Sequence, residues 1–193
     1  MPMLELVQPS LTELPAYIAA LQTGWSPDNV RKQVAADEQL EKIDTDATGF
    51  LASLDDPEAT GAPIPMPDGS SIPRLPSVVR WLWDGEFCGS IALRWQAGGA
   101  ALPVHVLGHI GFAVVPWKRG RGYARQALSM LFAEARQHGL PYVELTTDPD
   151  NLASQKVIAA CGGVLIERFR KTAAYGAAEA LRFRIDLLPQ IAP

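Results

Sequence analysis

Val114-Val115-Pro116-Trp117-Lys118-Arg119-Gly120-Arg121-Gly122-Tyr123-Ala124 is the stretch on which the reading of the fold rests. Pro116 lacks a backbone donor and stops the apolar run 107–115, which reads as a strand. Gly120 and Gly122 let the chain turn tightly without Cβ clashes. From about residue 122 to 138, Ala124, Leu128, Leu131, Phe132 and Ala135 recur at helical spacing, with Gly139 as the stop. The first amides of such a helix have no acceptors. With the positive end of the helix dipole they form a site for a pyrophosphate. Lys118, Arg119, Arg121 and Arg125 place four cations around it, which suits a ligand carrying several phosphates. A glycine-rich turn with solvated basic side chains also accounts for this stretch taken alone. A dinucleotide fingerprint is missing its third glycine and its acid, and a Walker loop is missing GKS or GKT.

Outward from the turn, residues 142–146 read as a strand, 151–160 as a helix, 164–169 as a strand and 181–187 as the last strand. Upstream, 78–83 and 87–95 flank the turn Asp84-Gly85 as a hairpin. Between residues 57 and 76 stand six prolines and two glycines, which is read as a long loop without regular structure. Before it, residues 4–7 read as a strand. Ser10 and Glu13 have capping-box spacing ahead of the stripe Leu14, Ile18, Leu21, and Gly24 closes that helix. A second helix is expected from about 28 into the forties and a short third at 48–54. The fold class is therefore mixed α/β, with one parallel crossover in the C-terminal half. A single domain over 1–193 is expected, with a strand and helices in 1–55, the proline-rich loop in 56–76 and the sheet-bearing core in 77–187.

Nearly half of the 193 residues are apolar (48%) and 20% are charged, enough for a sizeable core. A net charge of −4 argues against a dedicated nucleic-acid binder, although the turn itself is basic. Two cysteines, Cys88 and Cys161, are too few for a disulfide framework. His105, His109 and His138 lack zinc-type spacing, so no metal is expected. Neither a signal peptide nor a membrane span is expected from the sequence, and a cytoplasmic location follows.

Arg119-Gly120-Arg121-Gly122-Tyr123-Ala124 resembles the R/Q-x-x-G-x-G/A signature of the GCN5-related N-acetyltransferases, the GNAT superfamily. Asn151-Leu152-Ala153-Ser154, followed by Gly162-Gly163, resembles that family's second motif, N-x-x-S/A leading to a glycine turn. The runs 108–112 and 150–158 are similar to a bacterial branch of it. The resemblance covers roughly residues 77–187. It implies an acyl-CoA N-acyltransferase fold with a splayed central strand pair, and acetyl-CoA as co-substrate.

Carried over residue by residue, the resemblance assigns the pantetheine arm to the backbone of Phe112, Ala113, Val114 and Val115. It assigns the pyrophosphate to the amides of Arg119, Gly120, Arg121, Gly122, Tyr123 and Ala124, with Lys118 beside them. Asn151 and Ser154 are assigned to the cofactor, a role that an N-cap Asn151 can share. His109 and Glu144 are the candidate bases; a buried structural histidine and a surface charge are the alternatives. The tyrosine that many relatives use as general acid falls at Ile158, so the usual acid is absent, and Tyr123, Tyr175 or Cys161 are the substitutes to consider. That absence motivates a second reading, a non-catalytic acyl-CoA-binding or sensing module. The implied acceptor is a small-molecule primary amine, entering between the N-terminal helices and the segment 171–179. Trp25, Trp81, Trp83 and Trp95 are candidates for its pocket or, alternatively, for the core. The alternating strand 181–185 is a candidate edge for a homodimer.

Overall fold

The computed structural model describes residues 3–65 and 71–187. In chain order the elements are β1 (Glu5–Val7), α1 (Leu14–Gln22), α2 (Gln33–Ser53), β2 (Asp55–Asp56), β3 (Ile64–Pro65), β4 (Ser71–Ile72), β5 (Ser77–Trp83), β6 (Phe87–Arg94) and β7 (Ile110–Val114). They continue with α3 (Tyr123–Gln137), β8 (Tyr142–Thr147), α4 (Leu152–Ala160), β9 (Val164–Arg170) and β10 (Glu179–Asp186). Single 3-10 turns occupy Pro116–Lys118 and Ala173–Tyr175.

The mixed α/β class holds, but the strands form two antiparallel sheets where one sheet with a parallel crossover was expected. The first has the order β1-β5-β6-β7, with β2 also on β5; the second has the order β8-β10-β9. α3 leads from β7 to β8, yet these two strands share no ladder. Their junction is His109, whose N–H donates to the Glu144 carbonyl at 2.8 Å. Beyond it they diverge, and the backbone groups on the outer side of β7 are left without a strand partner.

Two apolar clusters hold the layers together. On one face of the first sheet, Leu82, Ile91 and Leu93 pack with Leu128 and Leu131 of α3 and reach Leu145 and Phe183 of the second sheet. On the opposite face, Tyr17, Leu21, Trp25 and Phe50 pack on Trp81 and Phe87. Tyr17 stacks on Trp81 at 4.6 Å between ring centroids. Each fully buried ring or aliphatic side chain stabilises by about 1.5–3 kcal/mol relative to exposure. Trp81 and Trp95 are thus core residues, the latter stacked on His138 at 3.7 Å, while Trp83 packs half-buried against the second cluster.

Four local expectations change. The Ser10 hydroxyl takes the Thr12 N–H and meets the Glu13 carboxylate, so no capping box forms and α1 begins at Leu14. The second and third helices are one element, α2, broken at Asp46, whose carboxylate accepts the Gly49 N–H and starts the second segment. The proline-rich stretch contains a small hairpin, β3 against β4; its residues 66–70 lie outside the described ones. Lastly, β10 lies between β8 and β9, so its backbone is already paired on both sides and it cannot be a dimer edge. The edge strands of this sheet are β8 and β9, and β9 exposes Val164, Leu165 and Ile166. No helix among the described residues is long and apolar enough to cross a membrane.

Candidate active site

The site begins where β7 leaves the sheet. Val115 donates its N–H to Cys88 at 3.0 Å, and the His109 carbonyl accepts from Arg94 at 2.8 Å, so odd-numbered residues of this strand bond inward to β6. Pairing alternates along an antiparallel strand, so Phe112 and Val114 turn their backbone groups outward. Of the four residues assigned to the pantetheine arm, Phe112 and Val114 therefore offer free-edge groups, and Ala113 and Val115 do not. Even those two carbonyls have side-chain partners: Asn29 donates to Phe112 at 3.3 Å and Arg119 Nε to Val114 at 3.2 Å.

After Pro116 the chain makes its short 3-10 turn, and Gly120 (φ +75°) and Gly122 (φ +78°) take the left-handed conformation that a side chain resists. Gly122 is the N-cap of α3, and Gln126 is the first residue to bond back, to the Gly122 carbonyl at 3.1 Å. The amides of Gly120, Arg121, Gly122, Tyr123 and Ala124 have no backbone acceptor and gather at the positive end of a 15-residue helix. The Arg119 amide, assigned to the same role, is already bonded to Pro116 at 3.3 Å.

Lys118 has a second engagement on this wall. Its ammonium is buried against both carboxylate oxygens of Asp84, at 2.9 and 3.0 Å, and reaches Glu86 at 2.9 Å. Glu86 and Asp84 together raise its pKa. Asp84 also accepts the Tyr123 hydroxyl at 2.6 Å. Burial works against the Asp84 charge, but the bonds from Tyr123, Lys118 and Cys88 prevail and hold its carboxyl down at about 2. Lys118 lines the cavity and is at the same time the counter-ion that fixes the turn to the β5–β6 hairpin. Tyr123 is committed in the same way and is no free acid. Arg121 and Arg125 remain exposed beside the free amides.

The turn and the outer edge of β7 border a cavity of about 640 Å³, a volume usual for a small-molecule site. Its walls include Gly120, Gly122, Ala124 and Arg125 on one side and Asn151, Ser154 and Val157 of the α4 region on another. Asn151 caps α4, accepting the Ser154 N–H at 3.1 Å, while both residues border the cavity. The remaining wall comes from the N-terminal segment Gly24, Trp25, Asp28, Asn29 and Lys32. Trp25 is buried and its indole N–H has no partner among the described residues.

His109 and Glu144 do not border this cavity. The His109 ring is fully buried, with Nε2 3.0 Å from the Ala100 carbonyl and Nδ1 accepting the Glu144 N–H at 3.0 Å. These partners define the neutral tautomer that carries its proton on Nε2, and burial lowers the ring's pKa further. A ring held this way has no lone pair for an incoming proton; it ties β7 to β8. Glu144 is engaged with Arg184 at 2.6 Å on the second sheet. Ile158 is in the core, where its side chain would lie 2.4 Å from any Cβ on Gly163. Cys161 rests beside Ser129 and the Arg125 carbonyl, and Tyr175 lies on the turn between β9 and β10.

Sequence reading did not find Asp84, Asn29, Asp28 or the unpartnered Trp25 nitrogen. Asp84 and Asn29 stand 34 and 83 residues from the groups they bond. Pairings over such separations leave no local signal.

A free strand edge thus meets a run of free amides at a helix start across a small-molecule cavity. The Acetyltransferase (GNAT) family matches residues 36–162, well over half of the chain, and the chain belongs to that family. It is accordingly an acyltransferase, with acetyl-CoA as co-substrate. Its fold is similar to that of the microcin C7 self-immunity acetyltransferase MccE in complex with acetyl-CoA and AMP. The TM-score is 0.62 at 11% identity, covering 95% of this chain and 92% of that one. RimL, a ribosomal L7/L12 alpha-N-protein acetyltransferase in complex with coenzyme A, gives 0.61 at 13% identity, covering 95% and 93%. Mycobacterium smegmatis RimJ in complex with CoA-disulfide gives 0.59 at 18% identity, covering 97% and 84%. No curated protein sequence matches the chain.

Proposed function

We propose that the chain transfers an acetyl group from acetyl-CoA to the primary amine of a small molecule. One observation carries the reading: a single cavity joins the free amides of Gly120–Ala124 to the outward edge of Phe112 and Val114. The amides suit a pyrophosphate, with Arg121 and Arg125 beside it. The edge groups of Phe112 and Val114 suit the amides of a pantetheine arm, which would take the places of the Asn29 and Arg119 side chains. Asn151 keeps α4 folded against the same space while leaving its own N–H donors for the cofactor.

The acceptor reaches the cavity from the N-terminal wall. With His109 and Glu144 both engaged elsewhere, the amine arrives neutral and gives up its proton to water in the cavity. With Ile158 in the core, the thiolate leaves without a tyrosine donor. The pH dependence of the rate then follows the ionisation of the acceptor amine itself, with no inflection from an imidazole.

Calorimetric titration with acetyl-CoA tests the cofactor half, and micromolar binding is expected. Acceptor-dependent release of CoA, screened over small amines and over short peptides with free N-termini, tests the other half. Turnover with the peptides alone would overturn the small-molecule acceptor. Binding without any turnover would point to an acyl-CoA sensor, the reading that the buried Ile158 favours.

A further inference from the structure

Among the shielded basic side chains of the sheets, one lacks a counter-charge. Arg80 meets Asp55 and Glu134, Lys118 meets Asp84 and Glu86, and Arg184 meets Glu144. Arg94, the last residue of β6, is half-buried and makes neither an ion pair nor a side-chain hydrogen bond among the described residues. A guanidinium stays charged at every pH that a folded protein meets. Holding that charge out of water without a partner is costly, and such sites are kept where a ligand supplies the opposite charge.

The position of Arg94 says which ligand. Its Nη2 lies 3.7 Å from where a Cβ on Gly111 would stand, so it crosses β7 beside the residue preceding Phe112. Gly111 is an odd-numbered residue of β7, and its neighbours in that register, Ala113 and Val115, belong to the cluster packed by α1 and α2. This is the face opposite α3, where the N-terminal helices pack; Arg94 and Gly111 do not themselves border the cavity of about 640 Å³, which begins at the next residue, Phe112. One charged group acts on the guanidinium through space: Asp28, on the cavity wall. Asp28 makes no ion pair with Arg94; it is held by its own loop and by Arg31, which is itself shared with Glu38 at 2.6 Å. The Asp28 Oδ1 accepts the N–H of Val30 and of Arg31, each at 2.8 Å, and its Oδ2 faces Arg31 Nε at 3.5 Å. The guanidinium thus stands beside β7 with no direct partner among the described residues, the Asp28 charge reaching it only through space.

We propose that Arg94 anchors an oxyanion of the acceptor, a carboxylate or a phosphate carried on the same small molecule as the amine. The planar fork of the guanidinium takes either group through two parallel hydrogen bonds. Such an anchor fixes where the amine stands and makes Arg94 a determinant of acceptor choice. This inference deepens the proposed function and rests on it.

The test uses wild type, Arg94→Gln and Arg94→Lys, each first checked for folding by thermal melting and for acetyl-CoA binding by calorimetry. Release of CoA is then measured with matched acceptors: L-amino acids against their primary amides, and phosphoethanolamine against ethanolamine. In at least one pair the anionic member should be the better substrate by about ten-fold or more in kcat/KM. The pair in which the preference appears separates the carboxylate from the phosphate. Arg94→Gln should lower kcat/KM for the preferred acceptor by about 10- to 100-fold, with acetyl-CoA affinity and kcat/KM for the neutral members kept. Arg94→Lys should recover part of the loss. Equal or better turnover of the neutral member in every pair would overturn the assignment. So would a preference that survives Arg94→Gln, or a panel that is wholly inert while acetyl-CoA binds. If folded wild type fails to bind acetyl-CoA, the proposed function itself fails and takes this assignment with it.

Discussion

The two ends of β7 adjoin residues of the types that a catalytic site needs, and only one end faces the cavity. At the end of the strand, the turn through Gly120 and Gly122 leaves its amides and two arginines open to a ligand. At the start, His109 and Glu144 have the residue types of general bases, yet every polar atom of the histidine ring is bonded to backbone and the carboxylate is paired with Arg184. The difference lies in partners. A titratable side chain can serve chemistry only when the fold leaves one of its lone pairs or protons uncommitted.

The largest effect should come from the pin beneath the turn. Asp84→Asn leaves the buried Lys118 with Glu86 alone and should lower stability by about 3 kcal/mol, or ~10 °C in melting temperature. The same pair sets an acid limit. The Asp84 carboxyl is depressed from 3.8 to about 2, so its contribution is complete above the unfolded value and is lost as pH falls through the folded one. Wild-type melts should therefore weaken between about pH 4 and about pH 2. The Asp84→Asn protein should be flatter over that window, and an unchanged slope would mean that Asp84 is not the linked group.

Next comes the turn itself. Gly122→Val forces a branched side chain into the left-handed region, at a cost of about 1–2 kcal/mol, and places it over the free amides. Affinity for CoA should drop by about 10- to 100-fold with the melting temperature only slightly reduced. Unaltered CoA affinity in a folded variant would rule out this turn as the phosphate site. At the other end of the strand the pattern should reverse. His109→Gln should cost about 1–2 kcal/mol of stability by leaving buried backbone groups poorly matched. Its pH–rate profile should keep the wild-type shape; loss of an inflection near neutrality would restore the ring as a base.

The smallest effect sharpens the electrostatic part of the comparison. Arg121→Ala combined with Arg125→Ala should weaken CoA by about 1 kcal/mol, and less at high salt, because both side chains are exposed. Dephospho-CoA should lose less than CoA if either arginine reads the 3′-phosphate.

How much of this was legible follows from the range of each signal. The glycine turn, the amphipathic helix behind it and the Asn151 cap are written within about a dozen consecutive residues each, and local backbone chemistry decides them. The choice between outward and inward groups on β7 was nearly legible too. Alternation alone says that half of Phe112 to Val115 must face the neighbouring strand, but not which half. The proline-rich stretch hid a hairpin because β3 and β4 are only two residues each, too short for a periodic pattern.

From the chain alone came the class of fold and the glycine turn ahead of its helix, since each depends on residue type and short spacing; the family resemblance added the absence of the usual tyrosine at Ile158. Tertiary structure alone decided that Lys118 is a pin, that His109 is a tie between sheets, that β10 is an inner strand and that Arg94 stands without a partner. Those four depend on which groups meet across tens of residues. Whether a charge or a lone pair is free is a property of its neighbours in space.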